Sequence, residues 1–264
     1  VGKKASVDGS TMVSYAADSY SFYGYLHHSP AADHAPGTMR EVKDWDTGKP
    51  LCSIPQVAHT YNVVGNMNEH QLTIGETTWG GRPELETGEG IDYGSLIYIA
   101  LERCKTAREA IKCMTDLVAK YGYASSGETF SIADPNEVWL MELIGKGKVE
   151  KGAVWVATRI PDDCIAAHAN QARFTTINFK DKENWMWSKD VVSFARKMGY
   201  FTGKDKDFNF QEAYAPYDFS GLFVCEARVW SFFRKFSNDM DKYFDFASGK
   251  TFVETGGKYA GERM

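Results

Sequence analysis

The stretch Phe130-Ser131-Ile132-Ala133-Asp134-Pro135-Asn136-Glu137-Val138-Trp139-Leu140-Met141-Glu142 decides the fold class. Residues 130–133 and 138–142 are short runs with β-branched and aromatic side chains. They flank Asp-Pro-Asn, where a proline with fixed φ and two turn-forming side chains favour reversal of the chain. The reading is a β-hairpin. Beyond it, residues 154–157 and 165–170 read as further strands of the same sheet. Before it, the period changes to that of a helix over residues 93–103. Thr106-Ala107-Arg108-Glu109 is a capping-box sequence, in which the Thr hydroxyl accepts a first-turn N–H and the Glu reaches back. Ala107, Ala110, Ile111, Met114, Leu117 and Val118 then follow helical spacing, and Gly122 suits the residue after the helix end. Both helices should lay an apolar face on the sheet.

Further out, residues 61–64 and 72–78 read as strands joined through Asn66-Met67-Asn68-Glu69, and residues 10–15 as a strand entered from an Asp8-Gly9 turn. Residues 22–60 read as irregular. Helices are expected near 190–197 and 227–236, and no element over the last 26 or so residues. Strands, helices, strands and helices in that order define an α+β protein with layered sheets. A single domain spans residues 1–264.

Composition narrows the function. The 264 residues are 43% hydrophobic and 25% charged, the balance of a folded protein rather than a disordered one. The 14% aromatic share points to well-filled cores or a rich pocket. A net charge of -5 supplies no global basic field for nucleic acid. No run approaches 18 apolar residues, so no transmembrane helix is expected. Five cysteines without CxxC spacing support neither a zinc ribbon nor a disulfide framework, and read as buried thiols. The start Val1-Gly2-Lys3-Lys4, with neither initiator Met nor signal peptide, reads as a mature or trimmed one.

No phosphate-binding loop, HExxH or GxSxG sequence is present, and Gly88-Glu89-Gly90 is read as a turn. His27, His28, Asp33 and His34 read as solvent-facing or hydrogen-bonding rather than as a metal cluster. His59, His70 and His168 read as structural histidines, although one could serve as a base. Glu84–Glu89 reads as a solvated loop, and Trp79-Gly80-Gly81 as a pocket rim or a tight turn.

Longer strings carry a resemblance. Val1-Gly2-Lys3-Lys4-Ala5-Ser6 with Asp8-Gly9-Ser10 and Asp18-Ser19 comes first. Gly65–His70, Gly75–Thr78, Thr106–Ala110, Ser126–Glu128, Ile132–Glu137, Ala169–Gln171 and Arg228 with Trp230 follow in order. Together they resemble the dipeptidase A/D (PepD-like) cysteine peptidases, members of the N-terminal nucleophile hydrolases. The resemblance implies an αββα fold, two stacked antiparallel sheets flanked by helices. It also implies a Cys whose thiolate attacks the peptide carbonyl while its own α-amine acts as base, with no metal or other cofactor. The family's Cys-Thr pair stands a few residues ahead of Val1, so the nucleophile is expected outside these 264 residues, as is a C-terminal portion. Many relatives carry Arg where this chain has Tyr15.

On the same basis, Asp18 is expected to hold the amine and thiol of the nucleophile, or else to cap a turn before Ser19. Asn170 is expected to stabilise the oxyanion through its amide, or else to satisfy loop backbone. Arg228 could lower a thiolate pKa or hold a carboxylate. Glu76, Thr77 and Thr78 lie on the strand where relatives supply an oxyanion donor, and are read as substrate-binding. The expected activity is hydrolysis of dipeptides or short peptides. The alternatives are an acylase acting on a bile-salt or penicillin type of amide, or a catalytically inactive binding domain. The expected partner is a dipeptide or short peptide, with no nucleic acid and no membrane span. A homo-oligomer is left open. The expected location is periplasmic or secreted, with the cytoplasm as the alternative.

Overall fold

The computed structural model describes residues 1–18 and 26–254, so residues 19–25, Ser19 among them, and residues 255–264 lie outside it. The strands are β1 (His28–Ser29), β2 (Ala32–Asp33), β3 (Met39–Lys43), β4 (Pro50–Pro55), β5 (His59–Thr60), β6 (Val63–Val64), β7 (Met67–Asn68), β8 (Thr73–Gly80), β9 (Gly127–Ala133), β10 (Val138–Gly145), β11 (Ala153–Ile160) and β12 (Trp185–Trp187). The helices are α1 (Tyr93–Arg103), α2 (Ala107–Tyr121), α3 (Val191–Lys197), α4 (Phe210–Tyr214), α5 (Ala227–Phe233), α6 (Phe244–Ala247) and α7 (Lys250–Glu254). A π-helical turn, Gly221–Glu226, leads into α5.

The fold is α+β around a large antiparallel sheet of eight strands, ordered β1-β6-β7-β8-β9-β10-β11-β12. The hairpin that opens the sequence reading is its centre: β9 and β10 pair with Val138 opposite Ala133 and Met141 opposite Phe130. Asp134 makes the turn, its carboxylate accepting from the backbone N–H groups of Asn136 and Glu137. Every residue of β10 is buried. A strand covered on both faces loses the polar-apolar alternation, which is why this run is almost continuously apolar.

The two faces have different covers. Trp139, Met141 and Leu143 join Ile74, Phe130 and Ile132 under α1 and α2. Val138 and Leu140 point the other way, against Val13, Ala166 and Phe174 from extended segments. A third cluster packs Ile144, Val154 and Val156 on Phe194, Phe208 and Phe210. Each fully buried side chain of this size contributes about 1.5–3 kcal/mol.

Both long helices start and stop as local chemistry dictates. Asp92 caps α1 by accepting from Ser95 N–H, and Thr106 caps α2 by accepting from Glu109 N–H. Glu109 reaches back to Lys105 N–H, one residue before the cap. Gly122 follows α2 at φ +94°, a conformation that a β-carbon disfavours.

Several expectations need correction. Residues 10–15 are extended but form no strand; Met12 instead exchanges backbone bonds with Val1. Residues 165–170 do not extend the sheet, whose edge is taken by β12. Of residues 22–60, the described residues 26–60 are less irregular than expected: β3 and β4 form a two-stranded sheet, and β2 and β5 another. Trp79 is buried in the core, and Gly80 and Gly81 turn the chain at φ +70° and +84°, so this run is a tight turn rather than a pocket rim. The loop at Glu84–Glu89 is anchored by the buried Leu85. Helix reaches further towards the C-terminus than expected, through α6 and α7. Cys104 and Cys225 are buried, but Cys164 is exposed.

Candidate active site

A cleft of about 1130 Å³ opens between β8, β9 and the extended segments around residues 12–18 and 166–170. Asp18, Glu76, Thr77, Thr78, Asn170 and Arg228 all line it, although more than 200 positions separate the first from the last. The fold brings them together by three routes. β8 carries Glu76 to Thr78, α5 delivers Arg228 from its second position, and a loop pinned to the core presents Asn170.

Asn170 adopts φ +47°, in the left-handed region. Asn tolerates this better than other residues with a β-carbon, and such backbone gathers at functional sites. Its amide is held at both ends: Nδ2 donates to the Thr78 carbonyl, and Oδ1 accepts from Arg228 Nη2 at 2.8 Å. Arg228 Nε donates to the Val224 carbonyl within the π-helical turn. One Nδ2 hydrogen is left over after the Thr78 bond, free for a further acceptor.

The residues after Asn170 explain its fixed position. Gln171 donates to the Ala215 carbonyl at 2.9 Å. Arg173 pairs with Glu226, just ahead of α5. The fully buried Glu142 of β10 accepts from the backbone N–H groups of Arg173 and Phe174. Burial pushes the Glu142 carboxyl up to about 7, against the pull of those two N–H groups.

The carboxylates along β8 and β9 are equally constrained. Thr78 stands opposite Glu128, and Glu76 opposite Phe130. Alternation therefore places Glu76, Thr78 and Glu128 on one face as neighbours. Thr78 Oγ1 donates to Glu128 Oε1 at 2.6 Å, and the Tyr15 hydroxyl donates to Glu76 Oε1 at 2.6 Å. Burial, then the Glu76 charge beside it, holds the Glu128 carboxyl well above the usual carboxylate range. Burial and the bond to Glu76 likewise raise the Tyr15 hydroxyl. Asp18 is an exposed carboxylate on the cleft wall.

Ser131 and His168 face the same cleft, Oγ and Nε2 at 2.7 Å. Burial lowers the His168 imidazole to about 4, so it is neutral at physiological pH. The other histidines make local contacts: His28 with Asn62, His34 with Thr60 and His59 with Asp33. His27 packs against Trp45 and Tyr98. Among the described residues, no group of three or more His, Cys, Asp or Glu side chains is placed to hold a metal ion, and no helix is long and apolar enough to cross a membrane.

Sequence reasoning missed Glu128 and Glu142 as parts of this region. A lone Glu in a strand carries no sign of burial, and the hydrogen bonds that hold these two come from residues 50 and about 30 positions away.

Comparison with known proteins supplies the family. The model of Peptidase family C69 matches residues 27–248, and the chain belongs to that family. The match takes in every candidate site residue except Asp18. A probable dipeptidase of Latilactobacillus sakei is 29% identical over 87% of this chain and 50% of its own length. A probable dipeptidase of Salmonella dublin is 27% identical over 96% and 60%, and a probable dipeptidase A of Streptococcus pyogenes serotype M18 is 28% identical over 74% and 43%. The chain thus spans about half the length of the curated relatives it matches.

Proposed function

We propose that this chain carries the catalytic cleft of a cysteine dipeptidase of the N-terminal nucleophile type. The observation that carries the reading is the Asn170 amide. It is held in a left-handed turn between the Thr78 carbonyl and the Arg228 guanidinium, in the cleft that also contains Asp18. A donor fixed before the reaction stabilises an oxyanion without reorganising at the moment charge develops. Membership of Peptidase family C69 and relatives named as probable dipeptidases supply the substrate class.

In this reading, the thiolate of a cysteine ahead of Val1 attacks the carbonyl of the peptide bond. The carbonyl oxygen takes up negative charge facing Asn170 Nδ2, Arg228 orients that amide, and Asp18 holds the nucleophile's α-ammonium. The amine leaves, and water releases the acyl group. Support for the αββα sandwich comes from the layer opposite α1 and α2. There the chain pairs Gly2 N–H with the Cys164 carbonyl and Lys4 N–H with the Asp162 carbonyl, and Val13 and Ala166 pack on β10. A periplasmic or secreted location belongs to the same proposal and rests on the family resemblance alone.

The test is hydrolysis of a dipeptide panel by the natural protein, with its mature N-terminus read by mass spectrometry and N-acyl amides as controls. Turnover of dipeptides from an N-terminal Cys is expected. Cleavage confined to N-acyl amides, or an N-terminus without a nucleophile, refutes it.

A further inference from the structure

The buried carboxyl pair on β8 and β9 has no task in the chemistry above. Glu128 is fully buried, and Glu76 is 8% exposed. Each has one oxygen engaged, Glu76 by Tyr15 and Glu128 by Thr78. The remaining Oε2 atom of each is buried with no donor among the other described residues, and the two carboxyls are hydrogen-bonded to each other, so the pair holds a proton. Two adjacent buried carboxyls cannot both ionise without a counter-charge, and a cation with several N–H groups supplies charge and donors to both at once. The cleft around them is acidic: Asp44, Asp46 and Glu86 also line it, while Arg228 is the one guanidinium among its described lining residues and is already held by Asn170 and Val224.

We propose that Glu76 and Glu128, beneath the Tyr15 hydroxyl, form the subsite for the free α-ammonium group of a peptide substrate. The proposal rests on the peptide-hydrolysis reading and adds to it a feature of this chain, in which Tyr15 stands where many relatives carry Arg. Thr78 is the ruler. Its hydroxyl bonds Glu128 and its carbonyl bonds the Asn170 amide, so the ammonium anchor and the oxyanion donor are both tied to one residue of β8. A peptide's α-nitrogen is two bonds, about 2.5 Å, from its first carbonyl carbon. With a hydrogen bond of about 2.8 Å at each end, an ammonium on the carboxyl pair would present the first carbonyl, rather than a later one, to Asn170. The proton that the pair retains when empty is displaced as the cation binds, since the raised Glu128 carboxyl ionises beside it.

The experiment is isothermal titration calorimetry of the natural protein, its N-terminal nucleophilic Cys changed to Ala to stop turnover, with Ala-Ala and N-acetyl-Ala-Ala at neutral pH. Ala-Ala should bind at least tenfold more tightly. The Glu76→Gln/Glu128→Gln double variant should lose that preference. Tyr15→Arg keeps both carboxyls but sets a guanidinium beside Glu76, and should also lose it. This second variant covers the case in which the double variant does not fold. Equal binding of the two ligands, no binding of either, or a preference that survives in folded variants overturns the proposal. Hydrolysis by the natural protein separates the two claims. If it cleaves N-acetyl-Ala-Ala as fast as Ala-Ala, the ammonium subsite falls and peptide hydrolysis stands. If the Cys-to-Ala protein prefers Ala-Ala but the natural protein does not cleave it, the subsite stands and the hydrolytic reading falls.

Discussion

Replacing Asn170 separates its backbone conformation from its amide. Asn170→Gly keeps a residue for which φ +47° is unstrained, whereas Asn170→Ala puts a β-carbon there at a cost of about 1–2 kcal/mol. Both variants lose the bonds to the Thr78 carbonyl and from Arg228. Each such bond is worth a net of about 0.5–1.5 kcal/mol, nearer the lower figure at this exposed position. In a protein of this size, 1 kcal/mol shifts the melting temperature by about 2–4 °C. The alanine variant should therefore melt a few degrees below the glycine variant. Catalysis should not follow that order. An oxyanion donor contributes about 3 kcal/mol to the transition state and little to the ground state, so both variants should lose about a hundredfold or more in kcat with KM much less affected. The assay is steady-state dipeptide hydrolysis by the natural protein and its variants, beside thermal unfolding of each. A folded glycine variant with unchanged kcat refutes the role of Asn170. A kcat loss confined to alanine refutes it as well, since the backbone would then be the cause.

Three further outcomes are expected. Thr106→Ala removes the cap of α2 and should lower unfolding stability by about 1 kcal/mol, read by denaturant titration, without changing ligand binding. Gly127→Ala places a β-carbon 2.2 Å from the Trp79 ring and should destabilise by about 1–3 kcal/mol or more, read in the same way. Glu142 is raised to about 7 in the folded protein, above the 4.5 of an ordinary Glu, so between these values the folded state binds the extra proton. Its contribution to stability is therefore full at low pH and is lost as pH rises through about 7; Glu142→Gln should flatten that part of the stability profile, and an unchanged slope refutes the assignment.

What the sequence determined by itself was local. The Asp-Pro-Asn turn with its two flanking runs became β9 and β10, because turn chemistry acts over three or four residues. The Thr106 cap and the 3.6-residue period placed α2 at Ala107–Tyr121, because helical hydrogen bonds close within four residues. Motif strings along the chain also carried the family, and with it Asp18, Asn170 and Arg228 as candidates.

Tertiary structure decided what depends on distant partners. Residues 165–170 read as a strand, yet they stay outside the sheet, because β12 takes the place beside β11. The β3–β4 pairing was hidden, since Met39 and Val42, three positions apart, fall on opposite faces of a five-residue strand and leave no apolar alternation to read. The left-handed turn at Asn170 is set by anchors from β8, β10 and the approach to α5, none of them adjacent in sequence. The Glu76–Glu128 pair is the clearest case. Each is an ordinary charged residue in its own strand, and only the register of β8 against β9, with Tyr15 and the helices over it, removes both from water and makes them one site. Burial and charge coupling are properties of the assembled neighbourhood, and the linear chain carries them only as composition.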